Sequence, residues 1–257
     1  MTFGAFALVV AALFGALIGS FLNVCIHRLP KGTSIVWPAS ACPNCGRALS
    51  WFENVPVVSY AFLRGRCRTC RSPISWRYPI VEALTAAMFA FGWWYYGPTP
   101  LLASRLVLGC ALIVLFAIDL EHHLLPNVIT LPGLAAGLLF SLFLPPGLLH
   151  AFLGALAGGG VLWLIGEAYY RYSGQEGMGG GDVKMLAMIG AFLGWQQVIL
   201  TLVLSSVAGS IVGILFLATR RGGLKYELPY GTFLALAALA ASLAGEQIIT
   251  WYAGLYA

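Results

Sequence analysis

Gly177-Met178-Gly179-Gly180-Gly181-Asp182-Val183-Lys184 is the stretch on which the reading of this chain turns. Four glycines and a carboxylate fill a polar gap between two apolar runs, and apolar sequence resumes at once as Met185-Leu186-Ala187-Met188. Glycine permits close backbone approaches and backbone angles that other residues cannot adopt. An ionisable residue at the end of a membrane helix marks a functional site by default. Its natural counterpart is Asp119, which closes another apolar run in Phe116-Ala117-Ile118-Asp119-Leu120. Two carboxylates facing each other can share a proton, so that one is base and the other acid toward a single water.

The composition places that pair in a membrane. Of 257 residues, 60% are hydrophobic and 9% charged, against about 25% charged in a soluble domain. The formal charge of +5 is unevenly spread: eight of the fourteen Lys and Arg lie from Arg28 to Arg77, in the one long polar segment. A basic loop between apolar spans is a cytoplasmic retention signal. No nucleic-acid partner is expected; the lipid bilayer is.

Working outward, an apolar run from about Phe3 to Cys25 carries Gly15, Gly19 and Ser20, small residues suited to close helix packing. No Lys or Arg precedes it, unlike a secretory signal peptide. The positive-inside rule then puts the N-terminus outside and the basic loop inside. Seven further apolar runs follow, at roughly 79–96, 101–119, 126–144, 148–170, 184–195, 198–219 and 229–256. They are separated by Gly97-Pro98-Thr99-Pro100, Pro145-Pro146-Gly147, Trp195-Gln196-Gln197 as a polar turn, and Gly222-Gly223. The expected fold is an all-α polytopic membrane protein of about eight transmembrane helices with a small zinc-binding cytoplasmic loop domain. Its parts are a first transmembrane helix (1–25), the loop (26–78) and a transmembrane core (79–257). Eight spans place Arg171, Lys184, Arg220, Arg221 and Lys225 on the inner side with the basic loop, Arg105 being the exception. They also bring Asp119 and Asp182 to the same cytoplasmic boundary. Gly154, Ala155, Ala157, Gly158, Gly159 and Gly160 are small enough to leave a lateral opening beside them.

Within the loop, Cys42-Pro43-Asn44-Cys45 and Cys67-Arg68-Thr69-Cys70 form two CxxC pairs with 21 residues between them. That spacing predicts a four-cysteine zinc site. Disulfides are disfavoured on the cytoplasmic side, and a redox motif needs no second pair. Four thiolates close the coordination sphere, so the metal is structural and supplies much of the loop's folding energy. Cys25 and Cys110 lie in apolar runs and read as packing residues.

The bland alternatives for the acids are specific. Asp182 could cap a helix starting near Val183, and Asp119 could pair with His122 or His123. Glu82 and Glu167, within or near spans, read as packing residues, the alternative being partners that support the acid pair. His27, His122, His123 and His150 show no HExxH or triad-like spacing. Two acids on one membrane face, one of them in a glycine-rich turn, favour an intramembrane aspartyl protease.

Together these residues resemble the bacterial type IV prepilin peptidases, of the GxGD aspartyl protease family. Gly19-Ser20-Phe21-Leu22-Asn23-Val24 and His27-Arg28-Leu29-Pro30 are similar to the family's N-terminal signature. Trp51-Phe52-Glu53-Asn54-Val55-Pro56 and Arg77-Tyr78-Pro79-Ile80-Val81-Glu82 bracket the cysteines as in the family. Asp119-Leu120-Glu121-His122 with Leu124-Leu125-Pro126-Asn127 resembles the first catalytic motif, and Gly179-Gly180-Gly181-Asp182-Val183-Lys184 the second. One departure is Leu228-Pro229-Tyr230-Gly231-Thr232-Phe233, where the family often has Pro-Phe-Gly-Pro.

The resemblance implies Asp119 and Asp182 as catalytic residues. It also implies prepilins and pseudopilins as substrates, cut after a glycine at the cytoplasmic face of the bacterial inner membrane. Members with the cysteine loop usually also methylate the new N-terminus with S-adenosylmethionine; Gly65-Arg66 resembles a stretch associated with that step. Nothing in the residues themselves yields methyl transfer, since no GxGxxG follows a strand. Two other readings compete. A presenilin-type protease would place a Tyr-Asp motif inside a span, whereas Ile118 precedes Asp119 here. A transporter or channel with a zinc-bound cap would use the same carboxylates as ion ligands or proton relays.

Overall fold

A computed structural model describes residues 3–175, 179–219 and 228–255. Gly177 and Met178 of the glycine turn, the Gly222-Gly223 breaker, and Arg220, Arg221 and Lys225 lie outside the described residues. Every apolar run is helical: α1 (Phe3–Arg28), α3 (Arg77–Tyr96), α4 (Pro100–His122), α5 (Asn127–Phe140), α6 (Leu148–Ser173), α7 (Gly180–Leu193), α8 (Trp195–Thr219) and α9 (Tyr230–Gly254). A short α2 (Val58–Phe62) sits in the polar loop. Among the described residues the only β-pairing is two isolated bridges, in that same loop.

The expectation of eight spans is met in part. Among the described residues, α1, α4, α6, α8 and α9 are long and apolar enough to cross a membrane. With 14 residues each, α5 and α7 reach about 21 Å at 1.5 Å per residue, short of a hydrocarbon core of about 30 Å. α3 has 20 residues but carries Arg77 and Glu82 at one end and four aromatic residues, Trp93 to Tyr96, at the other, and is not among the five. The polar turn expected at Trp195-Gln196-Gln197 is already the start of α8; Gly194, in the left-handed region at φ +83°, makes the break.

The chain divides into two compact units, Met1–Leu106 and Val107–Ala257. In the first, α1 lies directly on α3. A Cβ at Gly15 would stand 2.7 Å from Cβ of Phe89, and one at Gly19 would stand 2.8 Å from Cα of Glu82, so only glycine allows the approach. Asn23 Nδ2 donates to the Tyr78 carbonyl at 3.0 Å. Glu82 is buried and accepts the Val57 amide at 2.7 Å, tying the loop to α3. Phe6, Leu13, Leu17 and Phe21 on the other side of α1 are exposed, as a helix facing lipid requires.

The second unit is built around α7. Met185, Leu186 and every residue from Met188 to Leu193 are buried, packed with Leu108, Leu112 and Leu115 of α4, Leu162 of α6, Val198 of α8 and Leu234 of α9. The small residues of α6 serve this packing: Gly154 meets the backbone at Gly190, and Gly158 the carbonyl of Leu186. They therefore bring α6 onto α7 and do not leave the lateral opening that the sequence suggested; of that stretch, Gly160 alone has no neighbour within 4 Å of a built Cβ, while Gly159 meets Ala187.

Candidate active site and metal centre

Asp119 sits in the last turn of α4, which His122 ends, and Asp182 in the first turn of α7. Both line one cavity of about 960 Å³, with His123, Gly179, Ser206, Tyr230 and Phe233 also on its walls. The two carboxylates interact electrostatically. Asp119 is only 5% exposed and accepts the backbone N–H of Thr232 at 2.8 Å. A Cβ at Gly231 would stand 2.9 Å from the same oxygen, so α9 can begin there only with glycine.

Of the alternatives for Asp119, His123 lines its cavity, whereas His122 lies 3.9 Å from Glu121. Asp182 is not a cap: Gly179 holds that position, with no side-chain cap bond, and α7 has begun by Gly180. Asp182 therefore lies inside the first turn, where a negative charge meets the positive end of the helix dipole.

The two motif segments are joined. Lys184 Nζ donates to Asn127 Oδ1 at 2.9 Å. Leu125 lies against both glycines that flank the acids: a Cβ at Gly181 would stand 2.9 Å from its Cβ, and one at Gly231 would stand 3.1 Å from its Cδ1. Two participants carried no sequence signal beyond resemblance. They are the Thr232 amide, a backbone group that every residue but proline has, and the Tyr230 hydroxyl, shared with Ser205 at 3.0 Å and Ser206 at 3.2 Å.

The four loop cysteines converge. The Sγ atoms of Cys42, Cys45, Cys67 and Cys70 lie within 4.8 Å of one another. Cys42 and Cys70 are 3.8 Å apart, close to the edge of about 3.8 Å that four tetrahedral zinc–sulfur bonds of about 2.3 Å would give. Two matching knuckles hold them. The Cys42 amide donates to the Arg47 carbonyl and the Cys67 amide to that of Ser72, both at 2.9 Å. Gly46 and Arg71 turn each knuckle in the left-handed region, at φ +69° and +60°. The Ser72 hydroxyl, 3.1 Å from Cys70 Sγ, and the Ser72 amide hold the Cys70 thiol down to about 5, whereas Cys45, despite the Arg47 amide, is pushed up to about 11 by burial and the other three sulfurs, so one thiolate forms well before the other. Beside the first knuckle Arg47 pairs with the buried Glu53 at 2.6 Å, and that contact with the Ser50 amide holds Glu53 down to about 2. This donor set fits a closed, structural metal site.

The remaining predicted residues have local duties. Cys25 is buried and Cys110 partly buried, and Glu167 pairs with Arg171 one helical turn on, at 2.8 Å. Gly65 stands at φ +66°, and a Cβ there would come within 2.8 Å of the Tyr60 hydroxyl, so this turn requires glycine. Arg66 is exposed and bridges to Pro73.

An all-helical membrane protein with two acids in one cavity and a four-cysteine loop outside its apolar helices is the class that this fold and site define. The chain belongs to the type IV leader peptidase family. The Bacterial Peptidase A24 N-terminal domain matches residues 13–96, and the Type IV leader peptidase family matches residues 106–214. The chain is 40% identical over 266 residues to the prepilin leader peptidase/N-methyltransferase of Pseudomonas aeruginosa, covering 93% of this chain and 91% of that protein. To the protein of the same description in Aeromonas hydrophila it is 40% identical over 267 residues, with the same coverage. To that of Burkholderia pseudomallei it is 40% identical over 253 residues, covering 88% and 81%. No solved structure matches it. The resemblance read from the motifs is thus borne out, and the two family matches follow the two compact units.

Proposed function

We propose that the chain is an intramembrane aspartyl protease that removes the basic leader of type IV prepilins or pseudopilins after a glycine. The observation that carries this reading is the single cavity shared by Asp119 and Asp182. One carboxylate takes a proton from water as the water oxygen adds to the glycine carbonyl, and the other gives its proton to the carbonyl oxygen. Collapse breaks the C–N bond, leaving the leader with a C-terminal glycine and the mature pilin with a new amine, which takes up a proton. Two carboxylates in one site release their protons in two coupled steps, so the rate has a bell-shaped pH dependence belonging to the pair.

The site works at the cytoplasmic face of the bacterial inner membrane, with the N-terminus outside; this reading is supported by the eight Lys and Arg from Arg28 to Arg77, since a basic loop between apolar spans is retained inside. Zinc on Cys42, Cys45, Cys67 and Cys70 holds that loop together. The names of the relatives support N-methylation of the new amine by the same chain. S-adenosylmethionine, when bound, supplies the methyl group; Gly65 and Arg66 are carried for this step by resemblance alone.

Asp119→Asn and Asp182→Asn each abolish cleavage of a purified prepilin in detergent, by at least a thousandfold, while the variants elute and melt like the parent. Cleavage by either variant at more than a few per cent of the parent rate would remove the aspartyl assignment.

A further inference from the structure

The contacts to Asp119 single out the first turn of α9. The Thr232 amide that donates to Asp119 at 2.8 Å belongs to the first turn of a helix, where N–H groups have no intrahelical carbonyl. Its other contact, to the Pro229 carbonyl, is long at 3.3 Å. Both bonded residues are buried, at 5% exposure each. The same turn is tied sideways to α8 by the Tyr230 hydroxyl, through Ser205 and Ser206. A carboxylate is favoured at this positive end of the helix.

We infer that the first turn of α9 is the positioning element of the acid pair: the Thr232 N–H fixes the orientation of the Asp119 carboxylate, and the Tyr230–Ser205–Ser206 link holds the turn at that distance. The inference rests on the aspartyl reading of Asp119 and adds the group that orients it. Thr232 acts through Asp119. Among the described residues, the titratable groups facing Asp119 are Asp182 from α7, His123 at the end of its own helix and Tyr230 from α9. On that cavity α6 presents only apolar groups and α8 apolar groups and hydroxyls, while Lys184 is engaged by Asn127.

The test compares full-length Thr232→Pro, Thr232→Ala and Tyr230→Phe with the parent on a purified prepilin. Proline fits a first helical turn but puts its Cδ where the hydrogen pointed, toward an oxygen 2.8 Å from the nitrogen, so Thr232→Pro both deletes the bond and pushes the Asp119 carboxylate out of place. Thr232→Pro lowers kcat at least tenfold, the loss of one hydrogen bond to a charged group setting the lower bound, with KM little changed. It also moves the acid limb of the kcat–pH profile about one unit to higher pH, because the carboxylate loses a donor. Thr232→Ala keeps the N–H but loses the bond from Thr232 Oγ1 to the Pro229 carbonyl, 2.7 Å, which ties the same turn, so it falls between the parent and Thr232→Pro on both readouts. Tyr230→Phe moves kcat and the limb in the same direction as proline, by about threefold in kcat.

A Thr232→Pro enzyme with the parent's kcat and pH limb, beside an inactive Asp119→Asn, overturns the inference and leaves the aspartyl reading standing. Thr232→Ala losing as much as Thr232→Pro overturns it too, because the side chain and not the amide would then matter. An active Asp119→Asn removes both. If Thr232→Pro fails to insert, Tyr230→Phe decides alone, and an unchanged limb overturns the inference.

Discussion

Gly181 and Gly180 are adjacent glycines with opposite duties. A Cβ at Gly180 meets nothing within 4 Å, whereas one at Gly181 would stand 2.9 Å from Cβ of Leu125. Leu125 cannot simply retreat, because it also lies against Gly231, the residue beside the Asp119 carboxylate. A methyl group at 181 therefore presses through Leu125 on the turn that holds Asp119. Forcing one methyl into such a contact costs about 1–3 kcal/mol, so Gly181→Ala lowers kcat/KM on a prepilin about tenfold or more. Gly180→Ala leaves activity unchanged and raises Tm slightly, since alanine is the better helix residue by about 0.5–1 kcal/mol. Equal losses from the two substitutions would show that the glycines are needed for the chain entropy of the turn and not for contact with Leu125.

Among elements, the cysteine loop has the narrowest support and so the sharpest dependence on its metal. Between Ala39 and Pro73 the regular structure is one short helix, one 3-10 turn and two isolated bridges, and the two knuckles meet at their thiols, Cys42 Sγ lying 3.8 Å from Cys70 Sγ. Cys42→Ser or Cys67→Ser is expected to abolish stoichiometric zinc by elemental analysis. Either change speeds backbone hydrogen exchange over residues 39–72 and reduces methyl transfer more than leader cleavage. Full zinc occupancy in the Cys67→Ser protein would exclude the four-sulfur site. This loop was legible because two CxxC pairs at metal spacing are a covalent pattern. So were the eight apolar helices, because each apolar run is set off by charged or polar residues or by Gly and Pro. What the sequence hid was environment. α7 is short yet central because protein surrounds it on all sides, and an apolar run reads the same whether lipid or protein covers it. Gly154 and Gly158 suggested an opening but allow contact with the α7 backbone; small residues serve both purposes, and only the partner's position decides.

At the scale of the whole molecule, function depends on the depth at which the acids meet the substrate. Asp119 ends the long apolar α4 and Asp182 begins α7, so the pair lies at helix ends and not mid-span. From the acids the cavity continues along Leu162 and Ile165 of α6, Leu202, Ser206, Gly209 and Ser210 of α8 and Phe233 of α9, a wall of apolar groups broken by two hydroxyls. A prepilin of the proposed kind has a basic leader, a glycine and then a long apolar helix. That helix can lie along this wall inside the membrane while the leader stays in the cytoplasm. The scissile bond must leave the helix, because a helical carbonyl is already hydrogen-bonded and shielded from water. Near the membrane boundary, water can satisfy the freed backbone groups; one turn deeper, each unsatisfied group costs several kcal/mol. Moving the scissile glycine four residues into the apolar helix shifts it by about 6 Å, at about 1.5 Å per residue. Cleavage of such a substrate is expected to fall at least a hundredfold in kcat/KM, while competition assays show it binding as well as the natural one, because the apolar helix is intact. Cutting of the displaced substrate at the natural rate would mean that the acids act deeper in the bilayer than the ends of α4 and α7 place them.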